Sequence, residues 1–297
     1  MRPPFLSYVT WNRMGLVARN LSALLKTTDD FELHIIDSNS KDDTWEFIQS
    51  LKDNRIKSRT RFDINKGPIY ASNYALSRRN PEQYFIAMDS DVYIYTKNWV
   101  TKFLEVFEVF PKVGLLGVPK ANPYTPYLPP VIPRIKYGVS YLQLKNASID
   151  DPLDFVPGHL QCLRPGLIDL IGYWSEEGHY GDAEISSRIV HYTPYTAGYI
   201  TTIEIDQIQQ VACKDCIAKN LCKLDKESTT CFSIREQYYR NPIFATKFLW
   251  KHVKIFEELD EGKRTAYCAS IHDRDSLKNH LYYKDWADEN FCFYREE

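Results

Sequence analysis

The chain has 297 residues, of which 44% are hydrophobic and 26% are charged, and this profile is typical of a soluble globular protein. The length accommodates one large α/β domain, or one domain with an appendage. The formal net charge of -2 excludes a global field that would attract nucleic acid or an anionic membrane, and it leaves room for a local basic patch.

The first residues run almost at once into a strand-like segment, without an apolar stretch of signal-peptide length. No segment approaches the roughly 20 apolar residues that a membrane helix needs. We therefore expect a cytoplasmic protein without stable membrane insertion. In that compartment the seven cysteines would be thiols or metal ligands rather than disulfides.

Strand-like and helix-like periodicities alternate over the first 119 residues. The predicted strands are FLSYVTW (5–11), ELHIIDS (32–38), IKSRTRF (56–62), QYFIAMD (83–89) and VGLLGVP (113–119). The predicted helices between them are MGLVARNLSALLKT (14–27), TWEFIQSLKD (44–53), GPIYASNYALSRR (67–79) and NWVTKFLEVFEVF (98–110). This order predicts an α/β fold, with a mainly parallel sheet sandwiched by helices and ligands bound beyond the carboxyl ends of the strands.

Polar residues follow several of these strands. Asn12 and Arg13 follow the first strand, residues 37–40 follow the second, and Asp89 and Asp91 end the fourth. Parallel strands end at the same edge of a sheet, so these side chains should converge. Two carboxylates flanking one residue suit Mg²⁺ or Mn²⁺, which bind oxygen ligands and take much of their shell from water and substrate phosphates.

Five segments in this order resemble the nucleotide-sugar glycosyltransferases of the GT-A fold, of the inverting family 2 type. They are SYVTWNR (7–13), IIDSNSKDDT (35–44), NKGPIYASNYAL (65–76), FIAMDSDVYIY (85–95) and VPGHLQCLRPGLIDLIGYWSEEGHYGDAEISSRI (156–189). The resemblance covers about residues 4–205. It implies a Rossmann-like domain, an Mn²⁺ or Mg²⁺ cofactor and a nucleotide-sugar donor, for which UDP is the commonest carrier.

The resemblance also implies roles for individual residues. Asp91, together with Asp89, should hold the metal ion. Asp182 matches the catalytic carboxylate that takes the proton of the acceptor hydroxyl, and Glu184 is the reserve for that role. The residues implied to bind the nucleotide sugar are Thr10, Asn12, Arg13, Asp37, Asn65, Gly67, Asp89, Ser90 and Arg188.

The chain departs from the family pattern at two places. Gly181 stands before Asp182 where the family has Glu, so the assignment of Asp182 rests on its distance from Arg188. The family also often has a His near the end of the domain, whereas GYITTIEIDQIQQ (198–210) has none, which leaves Asp206 as a substitute or the third ligand absent. If neither Asp182 nor Glu184 reaches the acceptor, a retaining mechanism is the alternative to inversion.

Residues 120–157 begin with the Pro- and Tyr-rich stretch KANPYTPYLPPVIPRIKYG, which predicts an ordered loop or a surface insertion rather than a long helix. We place the GT-A domain at residues 1–210 and a Cys-rich, mostly helical extension at 211–297. Amphipathic segments in the extension are PIFATKFLWKHVKIFEEL (242–259) and SLKNHLYYKDWADE (276–289). The sequence does not decide the oligomeric state.

Four cysteines of the extension have the spacing C-x2-C-x5-C-x8-C, namely Cys213, Cys216, Cys222 and Cys231. Four thiolates can form a closed tetrahedral zinc site, although an iron–sulfur cluster takes the same ligands and four unligated thiols are the third option. The other cysteines, Cys162, Cys268 and Cys292, are expected to be buried.

Three functions compete at this stage. The first is a metal-dependent glycosyltransferase that moves a sugar to a hydroxyl of a glycan, a protein or another acceptor. The second is a nucleotidyltransferase, which should carry a Gly-rich, basic loop after the first strand, and TWNRMG does not supply one. The third is a zinc-containing protein or nucleic-acid binding module with a degenerate transferase domain.

Overall fold

The computed structural model describes residues 2–119, 129–150, 154–208, 216, 218–222 and 241–294. The described strands are β1 (Phe5–Thr10), β2 (Glu32–Asp37), β3 (Ile56–Arg61), β4 (Phe85–Asp89), β5 (Val92–Ile94), β6 (Val113–Gly117), β7 (Val131–Lys136), β8 (Val139–Leu144), β9 (Leu160–Leu163), β10 (Thr196–Tyr199) and β11 (Ile205–Gln207). The described helices are α1 (Met14–Leu24), α2 (Thr44–Ser50), α3 (Pro68–Leu76), α4 (Trp99–Val109), α5 (Pro165–Ile171), α6 (Gly181–Tyr192), α7 (Lys219–Cys222), α8 (Pro242–Asp260), α9 (Arg274–Asn279) and α10 (Lys284–Phe293).

Helix α4 shows how the apolar spacing of the sequence produces the layered core. Its buried residues are Trp99, Val100, Phe103, Val106 and Phe107, which recur at the spacing of one helical face. That face packs in the same hydrophobic cluster as residues of β1 and β4. The other face of the sheet is covered by a second cluster that includes residues of α3, α5 and α6. The sheet is therefore sandwiched by helices, as predicted.

The main sheet has nine strands in the order β3-β2-β1-β4-β9-β6-β10-β8-β7. Strands β3, β2, β1 and β4 are parallel, whereas β9 runs antiparallel between β4 and β6. The chain builds outward from β1 to β3 and then returns to the other side of β1 with β4. The switch point of the sheet therefore lies between β1 and β4, where α/β folds bind ligands.

Part of the Pro- and Tyr-rich stretch forms a hairpin, and the expectation of a loop was wrong there. Strands β7 and β8 pair antiparallel from Val131 opposite Leu144 to Lys136 opposite Val139. Strand β7 lies at the edge of the sheet, where Pro133 removes no needed ladder hydrogen bond. Residues 120–128 lie outside the described part of the chain.

The carboxyl-terminal helices join the sheet domain through buried ion pairs. Arg264 contacts Glu177 at 2.8 Å and Glu258 at 3.1 Å, and all three side chains are almost fully buried. The Tyr283 hydroxyl donates to Glu258 at 2.6 Å. Among the described helices, none is long and apolar enough to cross a bilayer. The division of the chain near residue 210 stays a prediction.

Candidate active site

The loop after β1 has an uncommon backbone conformation. Asn12 and Arg13 have positive φ values of 55° and 64°, which cost non-glycine residues of order 1–3 kcal/mol each. The Asn12 side chain accepts the Lys41 N–H at 2.7 Å, and the Asn12 N–H donates to the Ser40 hydroxyl at 2.7 Å. These bonds hold the loops after β1 and β2 together, and strain of this kind concentrates at functional sites.

Asp37 ends β2 and is fully buried. Its carboxylate accepts the Ser40 N–H at 3.2 Å and the Ser40 hydroxyl, and it pairs with Arg61 Nε at 3.3 Å. Burial raises the pKa of Asp37, while the contacts with Ser40 and Arg61 partly oppose that rise. Thr10 lies opposite Asp37 in the β1–β2 register and is 1% exposed.

Arg61 was not among the residues predicted from the sequence. It is the last residue of the third strand, and polar residues at the carboxyl ends of the other strands were the signal used to predict the site.

The acidic motif lies at the switch point. Asp89 ends β4 and is half-buried, and Ser90 and Asp91 are buried beside it. The Ser90 carbonyl accepts the Asn20 amide at 2.9 Å and the Tyr8 hydroxyl at 3.3 Å. These contacts from α1 and β1 fix the backbone between the two carboxylates.

The Asp91 carboxylate fits a cation ligand. Its Oδ1 atom is buried and has no hydrogen-bond partner among the described residues, a costly arrangement for an isolated carboxylate oxygen. Arg13 lies nearby, with Nη1 3.8 Å from Asp91 Oδ2 and Nη2 3.4 Å from the Ser90 hydroxyl. The described residues contain no group of three or more His, Cys, Asp or Glu side chains arranged as a metal site. A divalent ion held here would therefore complete its shell with donor phosphates and water.

Asp206 has a different partner. It lies on β11, opposite Tyr93 of β5, and its carboxylate is 3.6 Å from Arg19. Its role as a substitute for the family's His stays a prediction.

Asp182 stands at the amino end of α6 and is half-buried. Its Oδ2 accepts the Gly158 N–H at 3.1 Å, and its Oδ1 accepts the Ala183 N–H at 3.1 Å. The next residue after Gly158 is His159, whose carbonyl accepts the Asp89 N–H at 2.9 Å. The segment just before β9 thus connects Asp182 to the acidic motif.

Glu184 and Arg188 form a buried ion pair. Glu184 is 1% exposed, and its two oxygens accept Arg188 Nε at 2.7 Å and Nη2 at 2.9 Å. Arg188 also donates to the backbone carbonyls of Ile171, Tyr173 and Ala266. This geometry does not support the reserve role of Glu184 as a base, or a direct contact of Arg188 with the donor. It favours a structural role for both, because every polar atom is engaged inside the fold.

The loop before α3 is covered by the end of the chain. Asn65 is buried and its side chain accepts the Gly67 N–H at 2.9 Å. Gly67 has φ 87°, and a Cβ atom there would lie 2.3 Å from the Tyr294 ring. The loop predicted to shape the nucleotide site is therefore in contact with the carboxyl-terminal extension.

Helix α3 contacts a second acidic residue that the sequence reasoning missed. Asn73 is fully buried and donates to the Trp174 carbonyl at 2.9 Å and to Glu176 at 3.0 Å. Glu176 also accepts the hydroxyls of Ser270 and Tyr282. Burial raises the pKa of Glu176, partly offset by these bonds. The sequence signal for a buried polar partner was Asn73 itself, since the other buried residues of α3 are apolar.

The predicted cysteine site lies only partly in the described chain. Cys216 is buried against Leu16 and Ala218, and Cys222 ends α7. Cys213 and Cys231 lie outside the described residues, so the four-thiolate site stays a prediction. Cys162 and Cys268 are buried as expected, and burial raises the pKa of Cys268 to about 12. The expectation for Cys292 was wrong, since it is exposed on α10.

Comparison with known proteins agrees with this architecture. The family model "Glycosyl transferase family 2" matches residues 8–169, which is more than half of the chain. No curated protein sequence matches the chain. This match favours the first of the three competing functions over a nucleotidyltransferase and over a binding module.

Solved structures are similar at low identity. The mannosyltransferase PcManGT from Pyrobaculum calidifontis, in complex with GDP-Man and Mn²⁺, has a TM-score of 0.54 and 15% identity, with 99% of this chain and 85% of that chain covered. S. aureus TarS 1-349 has a TM-score of 0.49 and 17% identity, with 68% of this chain and 58% of that chain covered. The chain thus spans less than two thirds of that TarS chain. Together with the topology of the sheet, the family match leads to one conclusion: the chain belongs to glycosyl transferase family 2 and has the GT-A fold.

Proposed function

We propose that the chain transfers a sugar from a UDP-linked donor to an acceptor hydroxyl of a glycan, a protein or a similar molecule, with inversion and with Mn²⁺ or Mg²⁺. The observation that carries the proposal is the unpartnered, buried Oδ1 atom of Asp91 at the β1–β4 switch point. A buried carboxylate oxygen without a hydrogen-bond partner is available to coordinate a cation. Asp182 is linked to the acidic motif by hydrogen bonds, because it accepts the Gly158 N–H while the carbonyl of the next residue, His159, accepts the Asp89 N–H.

The nucleotide would lie over the loops after β1, β2 and β3. Arg61 is 36% exposed and offers a donor, whereas Asp37, 3.3 Å away and fully buried, would become an acceptor for the base once Arg61 turns aside. Uracil presents an N–H flanked by two carbonyl oxygens, so this pair matches its edge. Asn12 and Thr10 would support the base and ribose from β1, and Asn65 and Gly67 would line the side toward α3.

Asp91, assisted by Asp89, would hold the divalent ion. When bound, the ion would neutralise the negative charge that the departing diphosphate accumulates. Arg13 lies 3.8 Å from Asp91 and could turn from that carboxylate toward the phosphates when a donor and an ion arrive.

Asp182 would act as the general base. An acceptor hydroxyl has a high pKa and needs a positioned group to take its proton as it attacks. The Gly158 and Ala183 N–H groups fix the orientation of the Asp182 carboxylate without neutralising its charge. Attack from the face opposite the diphosphate would invert the anomeric carbon.

A thermal-shift screen tests the donor and the ion together. UDP, GDP and their sugars would be added with and without Mn²⁺, and the proposal expects the largest stabilisation from UDP compounds with Mn²⁺. Asp91→Asn should lose that shift, whereas Asp169→Asn, a matched change at a 64% exposed carboxylate on α5, should keep it. A GDP preference would overturn the assignment of uracil, and a shift independent of Mn²⁺ and of Asp91 would overturn the assignment of the ion.

A product analysis tests the stereochemistry. NMR of the first-formed glycoside should show the anomeric configuration opposite to that of the donor. Retention of configuration would contradict the role of Asp182 as a base in a single displacement.

A further inference from the structure

The β7–β8 hairpin exposes large apolar side chains at its turn. Ile135 is 76% exposed and Tyr137 is 86% exposed. Single exposed apolar residues are common on protein surfaces, so exposure alone indicates little. Here the two residues lie two positions apart at the extremity of an edge hairpin, and further observations concern the same few residues.

The backbone of the turn adds the first of these observations. Tyr137 and Gly138, between Lys136 and Val139, have positive φ values of 52° and 78°. Two positive φ values in a two-residue hairpin turn are those of a type I′ turn, where Asn-Gly or Asp-Gly is strongly preferred. An aromatic residue there is unfavourable for the fold. Because the ring is almost fully exposed, it gives the fold little packing in return.

The charges around the turn add the second observation. Arg134 and Lys136 are exposed on β7, and Lys136 Nζ lies 4.9 Å from the centre of the Tyr137 ring. In the described part of the chain, neither cation pairs with a carboxylate. The sequence has no Asp or Glu from 109 to 149, in a chain of net charge -2. The five basic residues of that span are Lys112, Lys120, Arg134, Lys136 and Lys145.

We propose that the hairpin tip, residues 134–138, docks reversibly on an anionic lipid surface. Ile135 and Tyr137 would enter the boundary between headgroups and acyl chains, where apolar and aromatic side chains are favoured. Arg134 and Lys136 would meet the lipid phosphates. A soluble polyanion would satisfy the cations but would offer no apolar phase for Ile135 and Tyr137, so the observations favour a membrane.

The turn lies beyond the residues that pair β8 with β10, where Tyr199 is opposite Leu142. The side chains of Arg134 and Lys136 line a cleft with Lys112, Val113 and Thr196, at the beginnings of β6 and β10. The docking is therefore independent of the candidate active site and of the proposed function.

Vesicle co-sedimentation of the full chain tests the docking without donor or acceptor. Binding should occur with vesicles of phosphatidylcholine and phosphatidylglycerol, and it should weaken as salt is raised. Tyr137→Asn should weaken binding by about tenfold, because it removes the ring from the apolar boundary. The same change creates the preferred Asn-Gly turn, so the thermal stability should be kept or raised. Arg134→Gln with Lys136→Gln should weaken binding by about 30-fold.

Ile243→Thr is the matched control, since Ile243 is 77% exposed on α8, away from the hairpin. It should leave vesicle binding unchanged. Equal binding to pure phosphatidylcholine, no binding to anionic vesicles, or binding that the tip variants do not alter would each overturn the proposal. Tip-dependent binding to heparin without vesicle binding would also overturn it, in favour of a soluble polyanion. Because UDP and Mn²⁺ are absent, failure here is distinct from failure of the proposed transferase reaction.

Discussion

Replacing each of the two carboxylates of α6 by its amide should separate the base from the structural acid. Glu184→Gln changes a buried group whose oxygens both accept from Arg188 at 2.7 and 2.9 Å. Asp182→Asn changes a half-buried group that accepts two backbone N–H bonds at 3.1 Å. We expect Glu184→Gln to destabilise the fold with little effect on the chemistry, and Asp182→Asn to do the reverse.

The contacts set the size of each effect. Removing one charge of a buried ion pair costs about 3–5 kcal/mol, and Glu184→Gln should lie near the lower end because Arg188 keeps three backbone carbonyls. At roughly 2–4 °C per kcal/mol, the midpoint of thermal unfolding should fall by about 6–12 °C. Asp182→Asn alters one hydrogen bond and should cost only about 1 kcal/mol. Loss of a general base should lower kcat by about 10²–10⁴-fold.

The assay combines thermal unfolding with the rate of UDP release in the presence of acceptor, normalised to the folded fraction. Glu257→Gln is the matched control, since Glu257 is 55% exposed and should tolerate the change in both measurements. If Glu184→Gln folded normally but lost its rate, Glu184 would be the base. If Asp182→Asn kept its rate, the role assigned to Asp182 would be refuted.

Further predictions concern the metal carboxylate, acid stability and the loop before α3. Arg13→Gln should tighten Mn²⁺ binding in the absence of nucleotide by about fivefold, because it removes a cation 3.8 Å from Asp91. Titration followed by EPR measures this affinity, and an unchanged value would contradict the prediction. His179 has its pKa lowered to about 3, from 6.5, by burial and by Lys251, although Glu289 opposes this. Below pH 6.5 the unfolded chain therefore binds more protons than the folded chain. The contribution of His179 to the free energy of unfolding is fully present above pH 6.5 and falls on acidification, by about 2 kcal/mol at pH 5. Urea unfolding at several pH values measures this dependence. The free energy of unfolding of His179→Phe should fall less steeply between pH 6.5 and pH 5, and an equally steep fall would exclude His179 as its source. Gly67→Ala should lower the free energy of unfolding by roughly 1–3 kcal/mol, because of the positive φ and of the contact with the Tyr294 ring, and an unchanged melting temperature would contradict both contributions.

The order of strands and helices over the first 119 residues could be predicted because local patterns carry it. The apolar face of α4 repeats at helical spacing, and β4 is a continuous apolar run that ends at Asp89. The meeting of the polar residues at one edge of the sheet could also be predicted, because parallel strands have their carboxyl ends at the same edge. The β7–β8 hairpin could not be predicted in the same way, because Pro133 argues against a strand unless the strand is known to lie at an edge.

The site was only partly predictable because spacing along the chain does not give the direction of a side chain. Asp182 and Glu184 are two residues apart on α6, so they point to nearly opposite sides of the helix. One side faces Gly158 at the edge of the sheet, and the other faces Arg188 in the core. Glu176 and Arg61 were missed because their partners are distant in sequence and are brought close only by the fold.

Calorimetric titration of UDP into the chain, with and without Mn²⁺, is the decisive measurement for an ion at Asp91. Mn²⁺ should strengthen UDP binding in the natural sequence, and Asp91→Asn should abolish the strengthening, while UDP alone should bind both forms weakly. Equal UDP affinity with and without Mn²⁺, or full strengthening in Asp91→Asn, would contradict the claim that Asp91 joins an ion to the donor diphosphate.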